Sequence, residues 1–187
     1  NSLLRPEHLT DPDCNALCRL FQEQNDPQNG AIVHAELLTQ YLKKNYPSLY
    51  LVSSTTKVLT DFNDLQRELA RPEFRYVVPD FRLNRAFDRL AALPQSQKDK
   101  VEFLCNECCW FGCTERRACY EAVSRKNLGL PGPEHYCSAP GAADGYRFSR
   151  AMANPGFIGI KAIRDTLSWP RGLHPNSRSR GAALAVR

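Results

Sequence analysis

No stretch of this 187-residue sequence approaches the roughly 20 consecutive apolar residues that a membrane-spanning helix needs. The first residues, NSLLRPEHLTDPD, are polar and acidic rather than basic and then apolar, so they do not read as a secretory signal. They also lack an initiating methionine, which is compatible with a start inside a longer protein. Acidic residues are missing from 167–187, which holds Arg171, Arg178, Arg180 and Arg187. Taking those four away leaves 21 basic against 20 acidic side chains, so the net charge of +5 belongs to the tail. The body therefore gives no electrostatic reason to expect a nucleic acid. Neither HExxH nor a Ser–His–Asp arrangement can be traced, and His8, His34, His135 and His174 are scattered as if at the surface.

What is present is a soluble composition, 42% hydrophobic and 24% charged, on a chain long enough for one domain with a real core. Eight cysteines could form four disulfides in an exported protein. Without an export signal, and with enough length to need no staples, a cytoplasmic location and reduced thiols are expected.

From residue 31 the pattern alternates. AIVHAELLTQYLKKNY has helical spacing, with Ile32, Leu37, Leu38, Tyr41 and Leu42 in one stripe. A β-rich run follows at 50–54, then a helix in TDFNDLQRELA with Thr60 as N-cap and Asp61 and Asp64 in its first turn. Pro72 closes it. A second strand at 74–79, a helix at 83–93, a third strand at VEFLC and a helix in TERRACYEAVSRKNLG complete the series. Ahead of them, DPDCNALCRLFQEQ predicts a helix on which Cys14 and Cys18 lie one turn apart, a spacing that suits core-filling thiols.

Strands alternating with crossover helices imply parallel pairing and an α/β fold. The strands end in Ser53-Ser54-Thr55-Thr56, Asp80-Phe81-Arg82 and Asn106-Glu107-Cys108-Cys109. In such folds these ends share one face, where sites are built. Three strands are too few for a closed eight-stranded barrel, which leaves an open sheet or part of a barrel.

Past the third strand the thiols run Cys109-x3-Cys113-x5-Cys119-x17-Cys137, with Cys108 as an alternative first member. Four thiolates can enclose tetrahedral zinc or a cubane cluster. Zinc knuckles usually pair two tight hooks, whereas three close ligands and one distant one are more like iron–sulfur ligation; the spacing leaves both open. Arg116, Arg117 and the amides of a helix start would offset thiolate charge, while Trp110 and Phe111 could shield the metal from water. Cys105, on the strand, suits the core. Glu107 and Asp80, at neighbouring strand ends, are candidates for proton transfer or substrate contact.

LCNECCWFGCTERRACYE resembles the collagenase-like peptidase family of TIM-barrel proteins, and within it the branch of anaerobic ubiquinone-hydroxylation accessory proteins. The family pattern is a strand leading into Asn-Glu-Gly-Cys, followed by Cys-Pro-x-Arg. Asn106, Glu107, Cys109, Cys113 and Arg116 fit it; Cys108 stands at the glycine, Thr114 at the proline, and Cys119 where a histidine is often found. NSLLRPEHLTDPDCN, YLVSSTTK and VVPDFRLN are similar too, so the likeness spans about residues 1–166 and is specific mainly at 106–119.

The resemblance implies a partial (β/α)8 barrel, incomplete at one or both ends, and in the relevant branch a [4Fe–4S] site. Cys109, Cys113, Cys119 and Cys137 are then the expected ligands, with Cys108 as first substitute and zinc as the alternative metal. Some members of the family carry the name of peptidases, which keeps a metal-independent peptidase as a further alternative. Others support oxygen-independent hydroxylation or tRNA modification. An incomplete barrel would expose sheet edges and apolar helix faces, so pairing with a homologous or complementary barrel is expected. After FIGIKAIRDT the family continues into a strand reading approximately FKIEGR, whereas this chain gives LSWPRGLHPNSRSRGAALAVR without strand or helix period. One permissible coding of PNSRSRG, read in another frame, gives QFKIEG. Residues 167–187 are therefore expected to be an irregular, frameshifted tail outside a barrel domain at 1–166.

Overall fold

The computed structural model describes residues 2–24, 29–104, 109 and 111–132. Cys105, Glu107, Cys108, Trp110, Cys137 and the whole 167–187 tail lie outside the described residues, so the readings placed on them gain no structural account.

Three parallel strands, β1 (Gly30–Val33), β2 (Tyr50–Ser53) and β3 (Phe74–Val77), form an open sheet in which spatial order equals sequence order. Over its described residues the strand expected at VEFLC is reduced to a single parallel bridge, Val77 to Val101, beside β3. Between the strands run α2 (Glu36–Asn45) and α3 (Phe62–Ala70), with α1 (Pro12–Glu23) ahead of them. After β3 come the short helices α4 (Phe87–Ala91) and α5 (Gln95–Lys98), and beyond residue 109 the longer α6 (Arg116–Asn127). Among the described residues no helix is long and apolar enough to cross a membrane.

Several boundaries differ from the sequence reading. Residues 31–33 are strand, not the first turn of a helix, so Ile32 leaves the expected stripe and stands 61% exposed. Four strand residues run directly into an amphipathic helix here, and so short an apolar run carries no period of its own. The α3 cap is Asp61 rather than Thr60; its carboxylate accepts from the amides of Asn63 and Asp64 at 2.8 and 3.2 Å. The single helix expected at 83–93 is a 3-10 turn over Phe81–Arg85 followed by α4.

One face of the sheet is covered by helices. Val33, Leu51, Phe74 and Val77 pack there against Leu42, Tyr46, Phe62, Leu65, Leu69, Leu90 and Leu93. Leu65 is fully buried and Leu69 nearly so, each a burial of about 1.5–3 kcal/mol. The other face carries a smaller cluster, Val52, Tyr76 and Val78, flanked by Tyr50 and Leu104. Tyr50 and Tyr76 meet edge to face at 5.7 Å, and Arg75 lies over both rings. The Tyr50 ring also covers Gly30 so closely that a Cβ there would sit 2.3 Å from its Cε2 atom.

Polar anchors tie the layers together. Asn15 on α1 accepts hydrogen bonds from the Tyr41 and Tyr46 hydroxyls at 2.7 and 2.6 Å, while its own amide donates to Leu9 O and Asp11 O. Beneath the end of β2, Glu68 accepts from Ser53 Oγ at 2.5 Å and pairs with Lys57. Lys100 Nζ donates to the Leu69 and Arg71 carbonyls, satisfying acceptors left over at the end of α3.

Candidate functional site

Parallel pairing carries the carboxyl ends of all three strands to one edge of the sheet, and the segment holding the described cysteines of the loop is fastened there. After β3 the chain reaches Pro79 and Asp80, and Asp80 caps the 3-10 turn by accepting from the Arg82 amide at 3.0 Å. The same carboxylate is gripped from two sides. Arg82 Nε donates to Oδ1 at 2.6 Å and Nη2 to Oδ2 at 2.9 Å, a two-pronged pair. Arg116 approaches from α6, with Nε 3.4 Å from Oδ2. Asp80 is completely buried and Arg116 almost so.

Arg82 also reaches the cysteine loop, its Nη1 donating to the Cys113 carbonyl at 2.6 Å. Hydrogen bonding to Asp80 holds the Arg82 proton more tightly than usual; burial opposes this, and the nearby Cys109 adds a smaller pull in the same direction as Asp80. The guanidinium of Arg116 stacks over Phe81 at 4.8 Å and Tyr120 at 5.2 Å, and its Nη2 donates to the Tyr120 hydroxyl. Phe111 meets Phe81 edge to face at 6.0 Å. Asn84, fully buried, donates from Nδ2 to Leu104 O at 2.7 Å; its Oδ1 has no hydrogen-bond partner among the described residues.

Of the expected ligands, Cys113 is buried in this nest, and Cys109 and Cys119 are half-buried. Glu107, Cys108 and Cys137 fall outside the described residues. No three His, Cys, Asp or Glu side chains form a metal-holding group among the described residues. The three described thiols lie along one loop and the start of α6, and Arg82 is near enough to Cys109 to feel its charge. Asp80, read from sequence as a candidate for proton transfer, is placed as the carboxylate that joins two arginines. Of the two thiols expected to fill the core, Cys18 packs partly buried against it while Cys14 is exposed; the Cys14 pKa is pushed up by the hydrogen bond to Asp11 and that of Cys18 by burial.

Two contributors escape the sequence reading. Arg82 takes part through the Asp-x-Arg spacing at the end of β3, a visible signal that carries no role until the fold is known. His34, expected at the surface, is half-buried and hydrogen-bonded to Thr56 at the carboxyl ends of β1 and β2. The strand preceding His34 has no period of its own in the sequence, so nothing marks the histidine as a strand-end residue.

No family model, curated protein or solved structure matches the chain.

Proposed function

We propose that this chain is part of a (β/α)8-type barrel whose strand-end cysteine loop binds a [4Fe–4S] cluster and serves a redox or oxygen-independent modification reaction. The single observation that carries the reading is the tether from Asp80 through Arg82 to the Cys113 carbonyl, which fixes a thiol-rich loop at the carboxyl edge of a parallel sheet. Strand order equal to sequence order, continued by the bridge to Val101, supports the barrel part of the proposal.

In this reading Cys109, Cys113, Cys119 and Cys137 hold the metal, with Cys108 replacing Cys109 if the loop turns the other way. The cluster supplies one-electron chemistry when bound. The chain's own contribution is positional and electrostatic. Asp80 anchors both Arg82 and Arg116, Arg82 ties down the Cys113 carbonyl and offsets negative charge near Cys109, and Phe111 packs edge to face on Phe81. Glu107 remains the proposed acid for proton transfer, and Asp80 acts through the arginines it positions.

A second reading is a zinc-stabilised, non-catalytic module. It is favoured by one detail: the described carboxylate at the site, Asp80, is wholly committed to arginines. Anaerobic purification followed by visible spectroscopy and iron, sulfide and zinc analysis separates the two. Iron and sulfide in comparable amounts with a broad band near ~400 nm, characteristic of thiolate-ligated clusters, are expected, and Cys113→Ser should bleach that band. A colourless protein with stoichiometric zinc replaces the redox reading with the structural one.

A further inference from the structure

The carboxyl ends of β1 and β2 hold a polar cluster that the cysteine loop does not use. His34 follows β1 directly, while Ser54 and Thr56 follow β2. His34 Nδ1 lies 2.8 Å from Thr56 Oγ1, and Thr56 Oγ1 lies 2.8 Å from Ser54 Oγ. The Thr56 amide donates back to Ser54 Oγ at 3.2 Å. Sheet register assembles the group, because the Ser54 amide donates to Val33 O at 2.9 Å and so brings the end of β2 beside the residue preceding His34. Ser54 is buried, whereas Thr56 and His34 are half-buried.

Burial pushes the His34 pKa down, with Lys57 and Arg117 adding to the effect and Glu121 opposing it. The imidazole is therefore neutral at pH 7. With its proton on Nε2, the hydrogen bonds run in one direction: Ser54 donates to Thr56, and Thr56 donates to Nδ1. A hydroxyl within hydrogen-bond reach of a neutral imidazole is the nucleophile–base half of an activated nucleophile, and here the buried third group, Ser54, holds the hydroxyl rather than the base.

We infer that Thr56 and His34 form a nucleophile–base pair for acyl transfer from an ester, with Ser54 positioning the Thr56 hydroxyl. Thr56 Oγ bonds to the acyl carbon as its proton passes to His34 Nδ1. The bond from that carbon to the alkoxy oxygen then breaks, and His34 returns the proton to the departing alcohol. Water repeats the sequence, releasing the acid and restoring the threonine. An acyl carbon suits the site better than a phosphoryl group. Thr55 Oγ1 donates to Pro79 O, Lys57 Nζ is paired with Glu68 and Arg117 Nη2 donates to the Lys57 carbonyl, so the donor and the cations that would serve a dianionic phosphate are engaged.

The test uses the full chain and p-nitrophenyl acetate. Nitrophenolate release above the buffer rate, with acetyl recovered after acid quench on the peptide carrying Thr56, is expected. Thr56→Ser keeps the label and Thr56→Val, nearly isosteric, loses it. His34→Gln slows acylation about 100-fold or more while leaving the nucleophile in place. The inference does not rest on the cluster reading, so chelation should leave acylation unchanged. Acetyl found on a cysteine instead of Thr56, a Thr56→Val rate equal to wild type, or loss of acylation on chelation would each overturn it.

Discussion

Arg116 and Asp80 meet, Nε to Oδ2 at 3.4 Å, although one opens α6 and the other ends the β3 segment. Both are almost completely buried, and Arg82 holds the other side of the same carboxylate. One buried anion thus joins the sheet, the 3-10 turn after β3 and the helix that follows the cysteines.

Removing that anion is expected to be costly. Asp80→Ala leaves two guanidiniums facing each other without a counter-ion, and breaking a buried pair in this way costs about 3–5 kcal/mol. Urea denaturation should show the midpoint falling accordingly. Cys113, now less enclosed, should react faster with a thiol reagent. An unchanged Cys113 reaction rate would mean that the tether does not hold the loop.

The Asn15 side chain is the polar link between α1 and the tyrosines at the end of α2. Asn15→Leu removes the Oδ1 acceptor of the Tyr41 and Tyr46 hydroxyls, leaving Tyr46 only its longer bond to Asn15 O at 3.4 Å, which should destabilise the fold by about 1–3 kcal/mol. Tyr46→Phe in the Asn15→Leu background should recover part of the loss, because the more deeply buried hydroxyl, left with only one long bond, is then gone. Measured as a double-mutant cycle, the two changes should not add.

His34 makes stability depend on pH with a defined sign. Its folded-state pKa lies below the ordinary histidine value of 6.5, so on acidification the unfolded chain takes up the proton first. The His34 contribution is fully present above about pH 6.5 and is lost as the pH falls from there to the lower folded value. The difference in urea midpoint between wild type and His34→Gln should therefore shrink between pH 7 and pH 5. A difference that grows on acidification would show instead that the folded state stabilises the imidazolium.

A close approach on the second sheet face supplies a separate test. Gly30→Ala places a methyl group against the Tyr50 ring, which Tyr76 and Arg75 hold in position. Overpacking of this kind costs about 1–3 kcal/mol. The same substitution in a Tyr50→Ala background should cost much less, as thermal unfolding of the four variants would show.

The α/β alternation is legible because α2 and α3 carry a helical stripe, β2 and β3 are short β-rich runs between them, and Pro72 punctuates the end of α3; the start of α3 is legible only to within a residue, Thr60 being read for Asp61. β1 is not legible. GAIV is four residues long and merges in sequence with the apolar stripe of α2, so its identity depends on pairing with β2. The same ambiguity hides His34, whose significance comes from standing at a strand end. Near the cysteine loop, the position of Asp80 after a strand can be read from sequence, but its partners cannot, because Arg116 reaches it only through the fold. Arg82, two residues away, is recognisable as a neighbour of Asp80 but not as a tether to Cys113.

The agreement between strand order and chain order also sets a timetable for biosynthesis. Each strand pairs with the one made just before it, so β1, β2 and β3 can zip together while later residues are still being translated. Asp80 is then already seated in the nascent sheet before Cys109, Cys113 and Arg116 emerge from the ribosome. The cysteine segment arrives after it, onto a finished platform, and a ribosome stalled far enough downstream for residue 104 to have left the exit tunnel should already display a protease-resistant sheet.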